Sequence, residues 1–185
     1  MTHRLEMICA MRSRRPVFPG GAEPDDAGDG ARRNLPASTL SGDRFWCGPE
    51  PMTRRTAAGL GLDVEVRSEL AEIDFGSWRG RTLEDVSRSD PEGFRSWVAE
   101  PSEAPHGGES IEALLARVGG WLSSCAALTG RTVAVAPAMV VKACMLHVIA
   151  APATSYARID LEPLSMVVFV SDGDRWNLRA IGDRR

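Results

Sequence analysis

The residues best suited to chemistry lie in positions 70–86, LAEIDFGSWRGRTLEDV. Glu72 follows a short strand-like run at 64–66 and sits in a loop punctuated by Gly76 and Gly80, with Trp78 between them. A carboxyl group held beside an aromatic ring in a glycine-rich loop suits a general acid facing a cleft. Asp74, two positions on, is a candidate assistant to it. The same pattern also fits a capped loop with solvated acids. Thr82 is placed to cap a helix that begins at the next residue.

Nucleophiles and metal ligands are sparse. The four cysteines, Cys9, Cys47, Cys125 and Cys144, are scattered through apolar segments and read as free buried thiols. Cys9 ends a strand beside the expected pocket, but a thiolate there would need a nearby base, and no histidine adjoins it in sequence. No Cys/His group has zinc spacing, so neither a metal nor a cofactor is expected. His3 is expected before the first strand and frayed, and His147 as a core or surface residue of a helix.

The elements that must position Glu72 follow from periodicity. Residues 5–10 form a buried apolar strand. Residues 11–30, rich in Pro, Gly, Asp and Arg, read as loop, and 31–40 as a weak helix broken by Pro36. A strand at 44–47, a helix at 52–60 stopped by Gly61 and a strand at 63–66 come next. A short helix at 91–99 takes Asp90 as cap and Pro91 at its first position. Its Phe94 and Trp97 share a face, either as core or as a lid. Residues 110–127 carry the clearest helical stripe, Ile111, Leu114, Leu115, Val118, Trp121 and Leu122, capped by Ser110. A buried strand at 132–136, an apolar helix at 138–150 and a hairpin of 164–170 and 175–180 turning at Asp172–Gly173 complete the chain.

This alternation predicts one domain over 1–185, a three-layer α/β/α sandwich with a mainly parallel sheet and an antiparallel edge. In such sheets ligands bind at the carboxyl ends of the strands. A net charge of −3 gives no reason to expect nucleic acid or an anionic membrane as partner. No apolar run reaches the roughly 20 residues of a membrane span. A cytoplasmic protein with a small-molecule partner is expected.

Three further stretches, LEMICA at 5–10, PHGGES at 105–110 and RTVAVA at 131–136, stand in order around EIDFGSWRG. Together, from Leu5 to about Leu178, they resemble the histidine phosphatase superfamily in its phosphoglycerate-mutase-like branch. The resemblance implies that fold and places Glu72 at the family's proton-donor position. It also implies an Arg-His-Gly triplet after the first strand, whose His accepts the phosphoryl group; the matching residues here are Cys9, Ala10 and Met11. The position of the family's second His holds Pro137, and that of a phosphate-binding Arg holds Met52, with Arg54 and Arg55 close by. An imidazole attacks phosphorus as a neutral nucleophile, and neither Ala10 nor Pro137 can. A phosphate would also lose several charge-assisted hydrogen bonds, each about 1.5–3 kcal/mol.

The expected site therefore has Glu72 and Asp74 as acid/base groups. Ala10, Met11, Arg12, Ser13, Met52, Arg54, His106, Pro137 and Met139 would line it. The expected activity is acid/base catalysis, an isomerisation, cyclisation or dehydration, on a neutral or weakly anionic small organic molecule. The alternatives are a non-catalytic pseudophosphatase that binds a ligand or partner, and a residual phosphatase using another nucleophile.

Overall fold

The computed structural model describes residues 2–12, 17–20 and 40–182. In chain order its elements are β1 (His3–Cys9), β2 (Arg44–Cys47), α1 (Pro51–Gly59), β3 (Glu65–Val66), α2 (Leu83–Ser89), α3 (Pro91–Ala99), α4 (Ile111–Cys125), β4 (Gly130–Ala136), α5 (Ala138–Val148), β5 (Met166–Ser171) and β6 (Trp176–Gly182). They form one six-stranded sheet in the order β3-β2-β4-β1-β5-β6. The first four of these strands are mutually parallel, and β5 and β6 add the antiparallel edge.

Side-chain alternation along the central strands sets the layers. Leu5, Met7 and Cys9 of β1 and Ala134 and Ala136 of β4 share a core with Leu114, Val118 and Leu122 of α4 and Val141 and Met145 of α5. Ile8, Ala10, Val133 and Val135 point the other way, onto Ala57 of α1 and the adjoining Leu60. Both faces of β1 and β4 are covered, which is why Met7 to Ala10 and Val133 to Ala136 are continuously apolar, while the buried Glu6 of β1 is paired with Arg4 and Arg131. The result is the α/β architecture the alternation predicts.

Local signals set most boundaries. Thr82 caps α2 in a reciprocal capping box with Asp85, Asp90 accepts from the backbone N–H of Gly93 at the start of α3, and Ser110 from that of Ala113 at the start of α4. Phe94 and Trp97 pack against Phe18, Phe75 and Trp78 as part of the core.

Three expectations are corrected. His3 is not frayed: it is fully buried in β1, its ring bonded to the carbonyl of Cys125 (3.0 Å) and to Oγ1 of Thr132 (2.8 Å). The strand expected at 63–66 shrinks to Glu65–Val66, because only Trp46 and Cys47 offer it backbone partners at the sheet edge. β5 starts at Met166 rather than 164, because Leu164 adopts a left-handed backbone (φ 66°), with its N–H on the carbonyl of Cys9. The helix expected over 31–40 lies, but for Leu40, outside the described residues. No helix among the described residues is long and apolar enough to cross a membrane.

Candidate active site

The carboxyl ends of β1, β4 and β2 converge through backbone hydrogen bonds. Cys9 pairs with Ala136 in register, Ala10 donates to the carbonyl of Ala136 (2.8 Å), and Gly48, just past β2, donates to that of Val135 (3.0 Å). The N–H of Met11 reaches Oγ1 of Thr56 (3.1 Å), which itself donates to the carbonyl of Met52 (2.8 Å). Ala10, Met11, Met52 and Pro137 are thus gathered at one edge of the sheet. Pro137 caps α5, where its missing N–H costs nothing and its carbonyl accepts from Val140 and Val141. None of the chain's three histidines is present at this edge. His3 lies at the other end of β1, and His147 is exposed in the last turn of α5. His106 is 3% exposed, its ring set edge-on to those of Trp78 and Phe75.

Glu72 is fixed in its loop by a tether and a clasp. The tether is its own backbone N–H, which donates to Oε1 of Glu50 (2.6 Å) in the turn after β2. The clasp joins the two loop motifs. The N–H of Ser77 donates to the carbonyl of His106 (2.9 Å), and that of Glu109 to the carbonyl of Asp74 (2.7 Å). This approach demands glycine: a Cβ on Gly108 would lie 2.0 Å from the carbonyl oxygen of Asp74, and one on Gly76 (φ +46°) 2.1 Å from that of His106. Glu109 then pairs with Arg117 of α4 through two bonds of 2.8 Å, and Arg117 also donates to the carbonyl of Glu69 (2.8 Å).

Burial pushes the Glu72 carboxyl up to about 8; the charges of Glu50 and Glu109 add to the rise, while a hydrogen bond from the N–H of Ile73 and the charge of Arg117 oppose it. Glu72 is a neutral acid at pH 7 with a proton to give. Asp74 is the opposite case. Its Oδ1 accepts from the N–H of Gly76 (2.6 Å) and pairs with Arg79 (2.7 Å), which hold the half-exposed carboxyl below its ordinary value. Asp74 is therefore an ionised turn-former, unsuited to act as an acid near neutral pH. The Cys9 thiol is fully buried and pushed up by that burial, which keeps it protonated.

Of the remaining expected residues, Arg12 is exposed and anchored to the carbonyl of Leu161 and to Asp160. Arg54 is exposed on α1, and Met139 is half-buried on α5. His106 accepts from the N–H of Gly108 through Nδ1 (3.0 Å), so its ring supports the clasp. Ser13 lies outside the described residues. Sequence reading missed Glu50, Tyr156 and Lys142. Glu50, directly after Gly48 and Pro49, carries no signal of its own in the sequence, and Lys142 stands out only as the single lysine in the chain. Among the described residues no group of three or more His, Cys, Asp and Glu could hold a metal ion.

Comparison with known proteins agrees with this frame. Residues 34–184 match the family model of the histidine phosphatase superfamily, branch 1. Phosphoserine phosphatase 1 of Hydrogenobacter thermophilus is 34% identical over 114 residues, 57% of this chain and 54% of that protein. A bifunctional protein of Mycobacterium tuberculosis is 45% identical over 62 residues, 34% of this chain and 17% of that one. The chain thus matches about half or less of the length of these relatives. Among solved structures, an alpha-ribazole phosphatase from Shigella flexneri superposes with a TM-score of 0.81 at 21% identity, over 97% of this chain and 96% of that one. A phosphoserine phosphatase from Entamoeba histolytica superposes with a TM-score of 0.80 at 17% identity, over 99% and 98%. At these identities the superpositions speak for the fold.

Proposed function

The chain belongs to the histidine phosphatase superfamily, and from that premise we propose that it has kept the scaffold and the acid of this family while giving up phosphohistidine chemistry. In this reading the protein takes a neutral or weakly anionic small organic molecule at the carboxyl ends of β1 and β4. Glu72 donates and recovers a proton during an isomerisation, cyclisation or dehydration. The reading is carried by the pairing of Glu72, its carboxyl pushed up to about 8, with a strand edge where Ala10 and Pro137 stand at the two positions that the resemblance gives to imidazoles.

The chemistry fits the groups present. A protonated carboxylic acid can hydrogen-bond a carbonyl or hydroxyl oxygen and protonate it as charge develops, and its conjugate base can take a proton back. A phosphoryl dianion meets a different setting. Glu50 and Glu109 stand around Glu72, and only Glu109 is seen paired to a guanidinium, that of Arg117. Phosphatase relatives keep phosphate-ester hydrolysis by another nucleophile as the competing reading.

The test has two arms. The protein is first incubated with phosphoserine, 3-phosphoglycerate and p-nitrophenyl phosphate, with and without divalent metals, and phosphate release and acid-labile phosphoenzyme are measured. Background release and no phosphoenzyme are expected; turnover within about a hundredfold of ordinary enzyme rates of 1–10³ s⁻¹ would reinstate a phosphatase. A library of uncharged and monocarboxylate compounds is then screened by NMR for conversion. Conversion that disappears in Glu72→Gln is expected, and conversion unchanged in that variant removes Glu72 from the mechanism. Binding without conversion of any compound would make the protein a pseudophosphatase that senses a ligand.

A further inference from the structure

The hydrogen bond at the ring of His106 has a fixed direction. The backbone N–H of Gly108 donates to Nδ1 at 3.0 Å, so Nδ1 carries no hydrogen and the neutral ring holds its proton on Nε2. The arrangement copies the turn in which an Asn or Asp side chain accepts from the backbone two residues on. The ring is buried, and among the described residues Nε2 has no hydrogen-bond partner. The rings of Trp78 and Phe75, both buried, stand against it with centroids 4.9 and 5.8 Å away.

His106 is wedged between the two loops of the clasp. Its carbonyl accepts from the N–H of Ser77 (2.9 Å) and from Ser77 Oγ (3.2 Å). Gly108, the partner of its ring, lies so close to the other loop that a Cβ there would fall 2.0 Å from the carbonyl oxygen of Asp74 and 2.8 Å from the nitrogen of Gly76. Backbone packed this tightly leaves no play at the Nδ1 contact. A second proton on the ring must go to Nδ1. An imidazolium has two donors and no acceptor, so no orientation of the charged ring can receive the Gly108 N–H. The rings against His106 are uncharged. Asp74 is the charge that acts on it, and its Oδ1 is already held by the N–H of Gly76 and by Arg79. Glu109, on the same loop as His106, is paired with Arg117. Burial holds the ring below its ordinary 6.5, against the opposing pull of Asp74.

We propose that His106 is a positioning residue that latches the clasp: its neutral ring, with the proton on Nε2, closes the two loops on each other, and a proton taken from solvent at Nδ1 opens them and frees the loop that carries Glu72. Its action on Glu72 passes through the backbone of residues 74–77. The tether from Glu72 to Glu50 lies outside the clasp and does not depend on the ring. The latch stands on the clasp geometry and holds for whatever reaction the site performs. Where it rests on the reading of Glu72 as the acid, it adds a further consequence. The site then has a lower pH limit set by His106 beside the upper limit set by Glu72 at about 8.

The experiment follows amide hydrogen exchange by NMR in the full chain from mildly acid to mildly alkaline pH, together with the nitrogen-15 signals of the His106 ring. The proteins are the wild type, His106→Asn and Glu72→Gln. Asn can accept from the Gly108 N–H through its Oδ1 and does not titrate. In the wild type, protection of the Ser77, Gly108 and Glu109 amides should fall relative to His106→Asn by up to about tenfold per pH unit below the ordinary histidine range. The fall should level off at the ring's own titration midpoint, and the trend of Glu72 cancels from this difference. The clasp amides should stay less protected than those of β1, which marks the opening as local. A difference between the two proteins that does not change with pH, clasp protection equal to that of β1 throughout, or a neutral ring with its proton on Nδ1 would each overturn the latch. If His106→Asn fails to fold, Glu72→Gln decides, because residue 72 no longer titrates there: clasp protection that does not fall in that variant as the pH is lowered overturns the latch. The same variant reads a failure of the latch separately from a failure of Glu72 as acid.

Discussion

The backbone N–H of Glu72 donates to Oε1 of Glu50 at 2.6 Å. One bond thereby does two things. It fastens the acid loop to the turn after β2, and it brings a second carboxyl close enough to help hold the Glu72 proton. The same Glu50 side chain accepts from Oγ1 of Thr53 in the first turn of α1 (3.3 Å), so the tether is braced from the helix behind it.

Keeping Glu72 neutral has a cost in stability that depends on pH. Its folded pKa, about 8, lies above the ordinary 4.5. Between those values the folded state holds a proton that the unfolded chain has released, so this group's contribution to stability falls as pH rises through that window. Glu72→Gln carries no such group. Chemical denaturation should show the variant gaining on the wild type from pH 5 to pH 9, most of the gain coming by about pH 8. Parallel stability curves would contradict the shift.

His3 acts in the opposite pH range. Burial is the main cause holding its pKa below the ordinary 6.5; Arg44 adds to the lowering and the hydrogen bond to Cys125 opposes it. Below pH 6.5 the unfolded chain takes up a proton that the folded state resists, so stability present at neutral pH is lost as the pH falls. His106 is lowered too, chiefly by burial. In chemical denaturation the wild type should therefore lose stability relative to His3→Gln between pH 7 and pH 5, a difference from which the opposite trend of Glu72 cancels, and His3→Gln should be the less stable of the two at pH 7. A difference between wild type and His3→Gln that is independent of pH over this range would show that the His3 ring does not resist protonation.

Much of this was legible in the chain. β2, α3 and the capped starts of α2 and α4 stand where periodicity and cap residues put them, because those signals are local. The two-faced burial of β4 was visible as the apolar run 133–136; that of β1 was visible in its apolar residues, although the run is broken by the buried, ion-paired Glu6. His3 was misjudged because its partners, Cys125 and Thr132, lie more than a hundred residues away. Lys142 and Glu50 escaped notice for the same reason: a lone charge acquires meaning only from the residues that folding brings beside it. Asp74 looked like a partner for Glu72 by spacing, yet its geometry is that of a turn carboxylate bonded to Gly76 two residues on.

The clasp between the two loops can be tested by adding one methyl group. Gly108→Ala places a Cβ against the backbone of Asp74, which cannot swing aside as a flexible side chain would. A loss near the top of the usual range of about 0.5–3 kcal/mol for point substitutions is expected, together with a fall in the pKa of Glu72 as its loop loosens. Gly120→Ala, in the interior of α4 with nothing within 4 Å of the added carbon, should instead stabilise by about 0.5–1 kcal/mol. Thermal denaturation of the pair, with equal effects for both, would argue against the clasp.

The protonation state of Glu72 is the point on which the account turns. Side-chain carbonyl resonances of glutamate labelled with carbon-13, assigned by the signal that vanishes in Glu72→Gln, give its titration directly. A midpoint near 8 is expected. A midpoint in the ordinary glutamate range of about 4–5 would mean an ionised carboxylate at neutral pH and no acid to supply the proposed reaction.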